Sequence, residues 1–264
     1  MKTLKGLFSY FLSNSRLSIQ RNMQYRVNFI IGLFLSIVFT GVNPAVQLLI
    51  FRQTNCLPGW TFNQIVLFQG IVLFWNGLKE MLLGDSKWIM IQLVRKGDFD
   101  RMLLKPYPPM GVLLASGFSL SEIGAVATGG IIIVIVINMM NLTISITQIA
   151  LFAASILVGL IFYMAICVIY SCLAIILVKT DRLGDLLESI ITLGDYPLSI
   201  YPLLIRTVFL IIIPFAVFAF IPAQILLNRA DIKLFISFAC VIVFFFVSLK
   251  IWDFCLKRYT SAGG

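Results

Sequence analysis

Residues 196–222 read Tyr-Pro-Leu-Ser-Ile-Tyr-Pro-Leu-Leu-Ile-Arg-Thr-Val-Phe-Leu-Ile-Ile-Ile-Pro-Phe-Ala-Val-Phe-Ala-Phe-Ile-Pro. Pro197, Pro202, Pro214 and Pro222 punctuate one long apolar run that carries a single charge, Arg206. Proline donates no backbone hydrogen bond and breaks the helical ladder. Inside a membrane, broken backbone persists only where protein or a water-lined cavity covers it. The run therefore reads as a bent, partly re-entrant element, of the kind that membrane proteins use where they handle cargo.

Composition sets the class around it. Of 264 residues, 60% are hydrophobic and 12% charged, and the mean hydropathy is +1.02. Soluble domains are about 45–50% apolar and about 25% charged. The expected fold is all-α: a polytopic membrane protein. Its net charge of +9 is then read loop by loop, and not as a footprint for nucleic acid.

A crossing helix needs about 20 apolar residues. That rule places spans near 27–51, 64–83, 111–137, 149–178, 183–200 and 232–250, the second interrupted by Gln69, Asn76 and Lys79. Sixteen of the twenty basic residues then fall on one side, and only Arg52, Arg206, Arg229 and Lys233 on the other. Basic loops stay in the cytoplasm. Six spans with both termini cytoplasmic follow: residues 1–26 as a cytoplasmic, interfacial helix, then one membrane domain over 27–264. Leu4, Leu7, Phe8 and Phe11 share a face of the first segment, with Lys2, Lys5 and Ser9 elsewhere. This fits a helix lying in the interface better than a cleaved signal.

Several chemistries are absent. There is no histidine and no Cys-x-x-Cys, so no zinc site is expected. Of the five cysteines only Cys56 is expected on the oxidising side, where it has no partner for a disulfide. No Gly-x-Ser-x-Gly occurs, and no phosphate-cradling Gly-x-x-x-x-Gly-Lys-Ser/Thr. The chain is not expected to be an enzyme or to bind a cofactor. If it acts with ATP, another polypeptide supplies the ATPase.

The longest polar stretch is residues 84–109. Trp88, Ile91, Gln92 and Arg95 share a helical face, Arg95-Lys96-Gly97-Asp98 reads as a turn, and Phe99, Met102 and Leu103 form an apolar ridge beside Asp100, Arg101 and Lys105. A short amphipathic helix facing the cytoplasm either docks a soluble partner or lies on lipid headgroups. On the third span Gly117, Ser121, Ala125 and Gly129 recur every four residues, and Gly70, Gly77 and Gly84 recur every seven along the second. Such spacing lets helices approach closely, within a subunit or across a dimer seam.

Residues 96–106, Lys-Gly-Asp-Phe-Asp-Arg-Met-Leu-Leu-Lys-Pro, carry a resemblance, together with Tyr196–Tyr201, Ile213–Ala216, Pro222-Ala223 and Tyr259–Gly263. Over its whole length the chain resembles the permease of an ABC-2 type exporter. The resemblance implies a bacterial inner-membrane subunit that works as a dimer with a like or unlike permease, in contact with lipid and with a cytoplasmic ABC ATPase that holds the ATP and magnesium. It makes Arg95, Lys96, Gly97, Asp98, Phe99, Asp100, Arg101 and Leu103 the ATPase-coupling residues. Pro197, Pro202, Arg206, Pro214 and Pro222 become a re-entrant hairpin over 201–228. The resemblance allows drugs, lipids and polymers alike, and a small or amphipathic substrate is expected here; an ATP-independent channel or lipid scramblase is the competing reading.

Hydropathy alone prefers 203–221 as the fifth span, whereas the proline spacing favours 183–200. Within 183–200, Asp185, Glu188, Thr192 and Asp195 recur on one face opposite Leu183, Leu186, Leu187, Ile190 and Ile191. An acidic stripe inside a membrane faces a bundle interior or a cavity, which makes these four the candidate translocation path and favours a cationic cargo. The alternative is an amphipathic helix on the cytoplasmic surface.

Overall fold

The computed structural model describes residues 2–54, 59–177 and 181–259, and every element in them is helical. Helix α1 (Lys2–Gln24) is followed after Tyr25 by α2 (Arg26–Thr54). Helix α3 (Phe62–Lys96) opens on a capping box, in which the Gln64 amide donates to Thr61 Oγ1 and the Thr61 amide donates to Gln64 Oε1. It ends at Gly97, whose φ of +69° is the left-handed stop that glycine adopts without strain. Short helices α4 (Phe99–Leu103) and α5 (Pro109–Ala115) follow, then α6 (Ile123–Met139) and α7 (Ile146–Leu177). Helix α8 (Asp181–Ile191) unwinds into tight turns at Thr192–Asp195 and Leu198–Ile200. Two short pieces, α9 (Leu203–Thr207) and α10 (Phe220–Leu226), precede the last helix, α11 (Ile236–Lys257).

Among the described residues, five segments are long and apolar enough to cross a membrane: Arg26–Gln53, Phe62–Lys96, Leu120–Met139, Ile146–Ile176 and Ile236–Lys257. Three expectations change. The polar stretch from residue 84 is not a separate helix, because no proline or left-handed residue interrupts α3 before Gly97. The third span starts later than residue 111. Ser116 Oγ donates to the Val112 carbonyl at 2.8 Å, α5 ends, and the Ser119 amide turns to the Met81 carbonyl of α3 at 2.8 Å. Neither candidate for the fifth span is one helix of crossing length. Residues 183–200 are regular only to Ile191, and 203–221 breaks at Pro214, where the Phe215 amide reaches the Ile213 carbonyl in a three-residue turn.

The glycine stripes meet inside the subunit. A methyl group at Gly77 would lie 2.7 Å from the Val126 nitrogen of α6, and one at Gly129 would lie 2.7 Å from the Phe74 Cα of α3. In lipid, where no hydrophobic drive joins helices, such contact supplies the association energy. The apolar run of the opening quotation forms the centre of the molecule. Phe215, Ala216, Val217, Phe218, Ala219 and Ile221 are buried against α3, α7 and α11. Phe218 stacks on Trp75 with centroids 4.8 Å apart, and Phe162 sits between Phe218 at 5.3 Å and Phe244 at 5.1 Å.

Helix α1 packs on α5 through Leu7, Tyr10 and Asn14, and Phe11 meets Phe118 edge-on at 5.9 Å. The apolar face left outward is Phe8, Leu12, Ile19 and Met23, rotated from the expected one because Leu7 and Phe11 are drawn inward. A second, smaller core joins Met90, Val94, Phe99, Met102, Trp252 and Cys255 at the far end of α3.

Candidate functional site

Charged residues inside a membrane domain are costly and need partners. Helix α3 places Asn76, Lys79, Glu80 and Lys87 along its length, and α8 with its following turn runs antiparallel beside it. Glu188 pairs with Lys87 and with Lys79 at 3.6 Å. Further along, Asn76 Nδ2 donates to Asp195 Oδ2 at 3.1 Å, and at the opposite end Trp60 Nε1 donates to Ser199 Oγ at 3.0 Å. Glu80 completes the row: its Oε1 lies 3.7 Å from Lys79 Nζ, 4.0 Å from Lys87 Nζ, and accepts from the Tyr163 hydroxyl at 3.1 Å. The Tyr163 ring underlies both ammonium groups, at 5.1 and 5.5 Å.

The polar residues that interrupt the second span are therefore the ones that bind. Gln69 donates to Gln47 of α2 at 2.6 Å, Asn76 to Asp195, and Lys79 pairs with Glu188. Glu122 likewise accepts from Ser36 of α2.

Of the four acidic-stripe residues, Glu188 and Asp195 face α3, and Asp195 is buried. Asp185 is exposed, and the Thr192 hydroxyl donates to the Ser189 carbonyl at 2.8 Å. The stripe is not an open acidic wall. Lys79 and Lys87 both pair with Glu188, and the row of Lys79, Lys87, Glu80, Glu188 and Asp195 carries a formal charge of −1. A cavity of about 80 Å³ opens beside it, lined by Lys87, Trp88, Tyr170, Asp185 and Glu188. Sequence reasoning treated Lys79 and Lys87 as topology markers and overlooked Glu80 and Tyr163. The usable signal was the adjacent Lys79-Glu80 pair in the middle of an uninterrupted, largely apolar helix.

Among the hairpin residues, Pro197, Pro214 and Pro222 are buried, and Pro202 and Arg206 are exposed. Backbone groups freed by the breaks find side chains. The Tyr201 hydroxyl donates to the Leu193 carbonyl at 2.8 Å, and Ser237 Oγ donates to the Leu210 carbonyl at 2.6 Å. Arg229 then ties α10 to the start of α3, donating to the Gly59 carbonyl at 3.0 Å and to Gln64 Oε1 at 3.3 Å.

At the other end of α3 the apolar ridge points inward. Phe99 is fully buried, 6.3 Å from the Trp252 ring and 5.0 Å from Tyr259, and Met102 is buried beside it. Burial and the Asp100 carboxylate raise the Tyr259 phenol above its ordinary range. Asp98 does not cap α4 with its side chain; it pairs with Arg101 at 3.1 Å. The surface of this element is made by Arg95, Lys96, Arg101, Leu104 and Lys105, all exposed, with Leu103 half-buried and Gly97 as the hinge. Cys56 and the residues after Tyr259 lie outside the described residues, so the expectations placed on them have no structural counterpart.

No curated protein matches the chain. A family model described as ABC-2 family transporter protein matches residues 21–263, which takes in α2 to α11, the charged row and the α4 surface. The chain belongs to the ABC-2 family of transporter proteins.

Proposed function

We propose that this chain is the permease subunit of an ATP-driven ABC-2 exporter of the bacterial inner membrane, and that it forms the translocation path with a second permease. A separate cytoplasmic ATPase supplies ATP hydrolysis with its magnesium. The observation that carries the reading is the paired row of Asn76, Lys79, Glu80 and Lys87 with Glu188 and Asp195: charges kept inside the membrane domain of a transporter-family chain. The row also supports a fifth crossing by 183–200. Contacts at Lys87, Asn76 and Trp60 carry that segment past most of α3. The legs Leu203–Ile212 and 215–226 are then the two arms of a re-entrant hairpin, each too short to span about 30 Å. This gives six spans with both termini cytoplasmic.

The coupling surface is α4 and the turn before it, with Arg101, Leu104 and Lys105 touching the ATPase and Phe99 and Met102 anchoring the element. The test is co-purification. The mildly extracted chain should bring an ATPase with it, and Leu104→Asp should weaken that association with no change in thermal stability. Lipid or solute flux by the purified chain without any ATPase would instead establish the ATP-independent channel or scramblase.

A further inference from the structure

The cleft between α1 and α3 has a chemistry that the transport reading does not use. It measures about 460 Å³ and is predominantly polar, lined by Ser18, Arg21, Asn22, Asp85, Trp88 and Ser119 among others. Arg21 of α1 and Asp85 of α3 stand on its two walls. Among the described residues neither has an ion-pair or hydrogen-bond partner, and neither do the Ser18 and Asn22 side chains. The cleft thus offers one cation, one anion and spare hydrogen-bonding groups on facing walls.

Its position fixes what reaches it. Phe8, Leu12, Ile19 and Met23 form the outward apolar face of α1, with Lys5 and Arg16 beside them, the pattern of a helix lying in the membrane interface. Trp88 on the cleft wall and Tyr25 just after α1 are 61% and 66% exposed, as aromatics at a membrane interface are. The cleft therefore opens among lipid headgroups on the basic, cytoplasmic side.

We propose that this cleft binds a zwitterionic phosphoamine headgroup, the phosphate on Arg21 and the primary ammonium on Asp85. A planar guanidinium suits a phosphate oxygen pair, and a carboxylate suits an ammonium that retains its protons. Ser18 and Asn22 are placed to complete the phosphate shell. A quaternary ammonium has no proton to give Asp85, and a glycerol headgroup has no cation at all.

The experiment is native mass spectrometry of the full chain, with whatever subunits it purifies with, after adding phosphatidylethanolamine, phosphatidylcholine or phosphatidylglycerol with identical acyl chains. Ethanolamine lipid should be retained about tenfold over the other two, the factor one charge-assisted hydrogen bond sets. Arg21→Gln and Asp85→Asn should each remove the preference, and Phe246→Ala on the distant face of α11 should keep it. Millimolar glycerophosphoethanolamine that displaces the lipid places recognition on the headgroup alone; failure to displace it, with the preference kept, assigns the site to the intact lipid. If a single variant fails to fold, the Arg21→Asp/Asp85→Arg double variant retains the facing charges and should still lose the preference, because the polarity is reversed. Equal retention of all three lipids, or an undiminished preference in the variants, overturns the proposal.

Discussion

Replacing Glu188 by Gln keeps shape and removes one charge from the row. Its carboxylate lies 3.6 Å from Lys79 Nζ, and the Lys79 side chain is 5% exposed, so this ammonium cannot turn to water when its partner is lost. Coulomb attraction at that distance is about 5 kcal/mol at an effective dielectric of about 20. Two features reduce it. Glu80 remains 3.7 Å from the same ammonium, and the Glu188 side chain is 38% exposed and partly screened. The expected net loss is about 2 kcal/mol, a fall in Tm of roughly 4–8 °C on the scaling for domains of this size. Lys79→Met removes the buried charge itself, so the double variant should recover about 1–2 kcal/mol of the summed cost. The assay is thermal unfolding in mild detergent for wild type, both single variants and the double variant. Additive effects within about 0.5 kcal/mol would show that Glu188 does not sustain the Lys79 charge, and the row would lose its standing as a coupled unit. If the row also lines the path, export of cationic substrates should fall more than that of neutral ones in Glu188→Gln at equal protein level.

The seam between α3 and α6 predicts that Gly129→Ala costs about 1–3 kcal/mol by overpacking, whereas Gly41→Ala, whose added methyl would meet nothing within 4 Å among the described residues, should be neutral or gain up to about 1 kcal/mol; unfolding midpoints of the two variants check this. Phe99→Ala should cost about 3–5 kcal/mol and lower the yield of folded protein, while Leu104→Asp should leave the midpoint unchanged, since Leu104 is 86% exposed. Cys255 is buried beneath Phe99 and Trp252, so even a membrane-permeant thiol reagent should leave it unlabelled until the protein is unfolded.

Length and hydropathy were enough to find α2, α7 and α11, because a run of about 20 apolar residues between charged ends has few other uses. The Gly97 stop was legible for the same reason of local chemistry: a glycine after Arg-Lys at the end of a helical face. What the sequence concealed was direction. Phe99, Met102 and Leu103 form a ridge in either reading, and Trp252 and Tyr259, more than 150 positions away, help draw Phe99 inward. Likewise Asp185, Glu188, Thr192 and Asp195 share a helical face, but the pairing of Glu188 with Lys79 and Lys87 cannot be read from that face. Side-chain pairing across 100 residues has no local signature.

The charged row and the proline-broken segment are joined through adjacent residues of one helix. Asn76 holds Asp195, just before Pro197, and its neighbour Trp75 stacks on Phe218, just after Pro214. Between them the chain closes on itself, with Tyr201 edge-on to Phe209 at 5.1 Å and Phe209 to Phe215 at 5.4 Å. A displacement of α8 along α3 must therefore either break the Asn76–Asp195 bond or carry the aromatic plug with it. Close-packed aromatic cores do not deform by degrees, so the two arrangements are distinct. The same α3 continues without a break to Gly97 and α4, whose Phe99 is set against α11. A shift of α3 as a body therefore moves the charged row and the Trp75 side of the aromatic plug together.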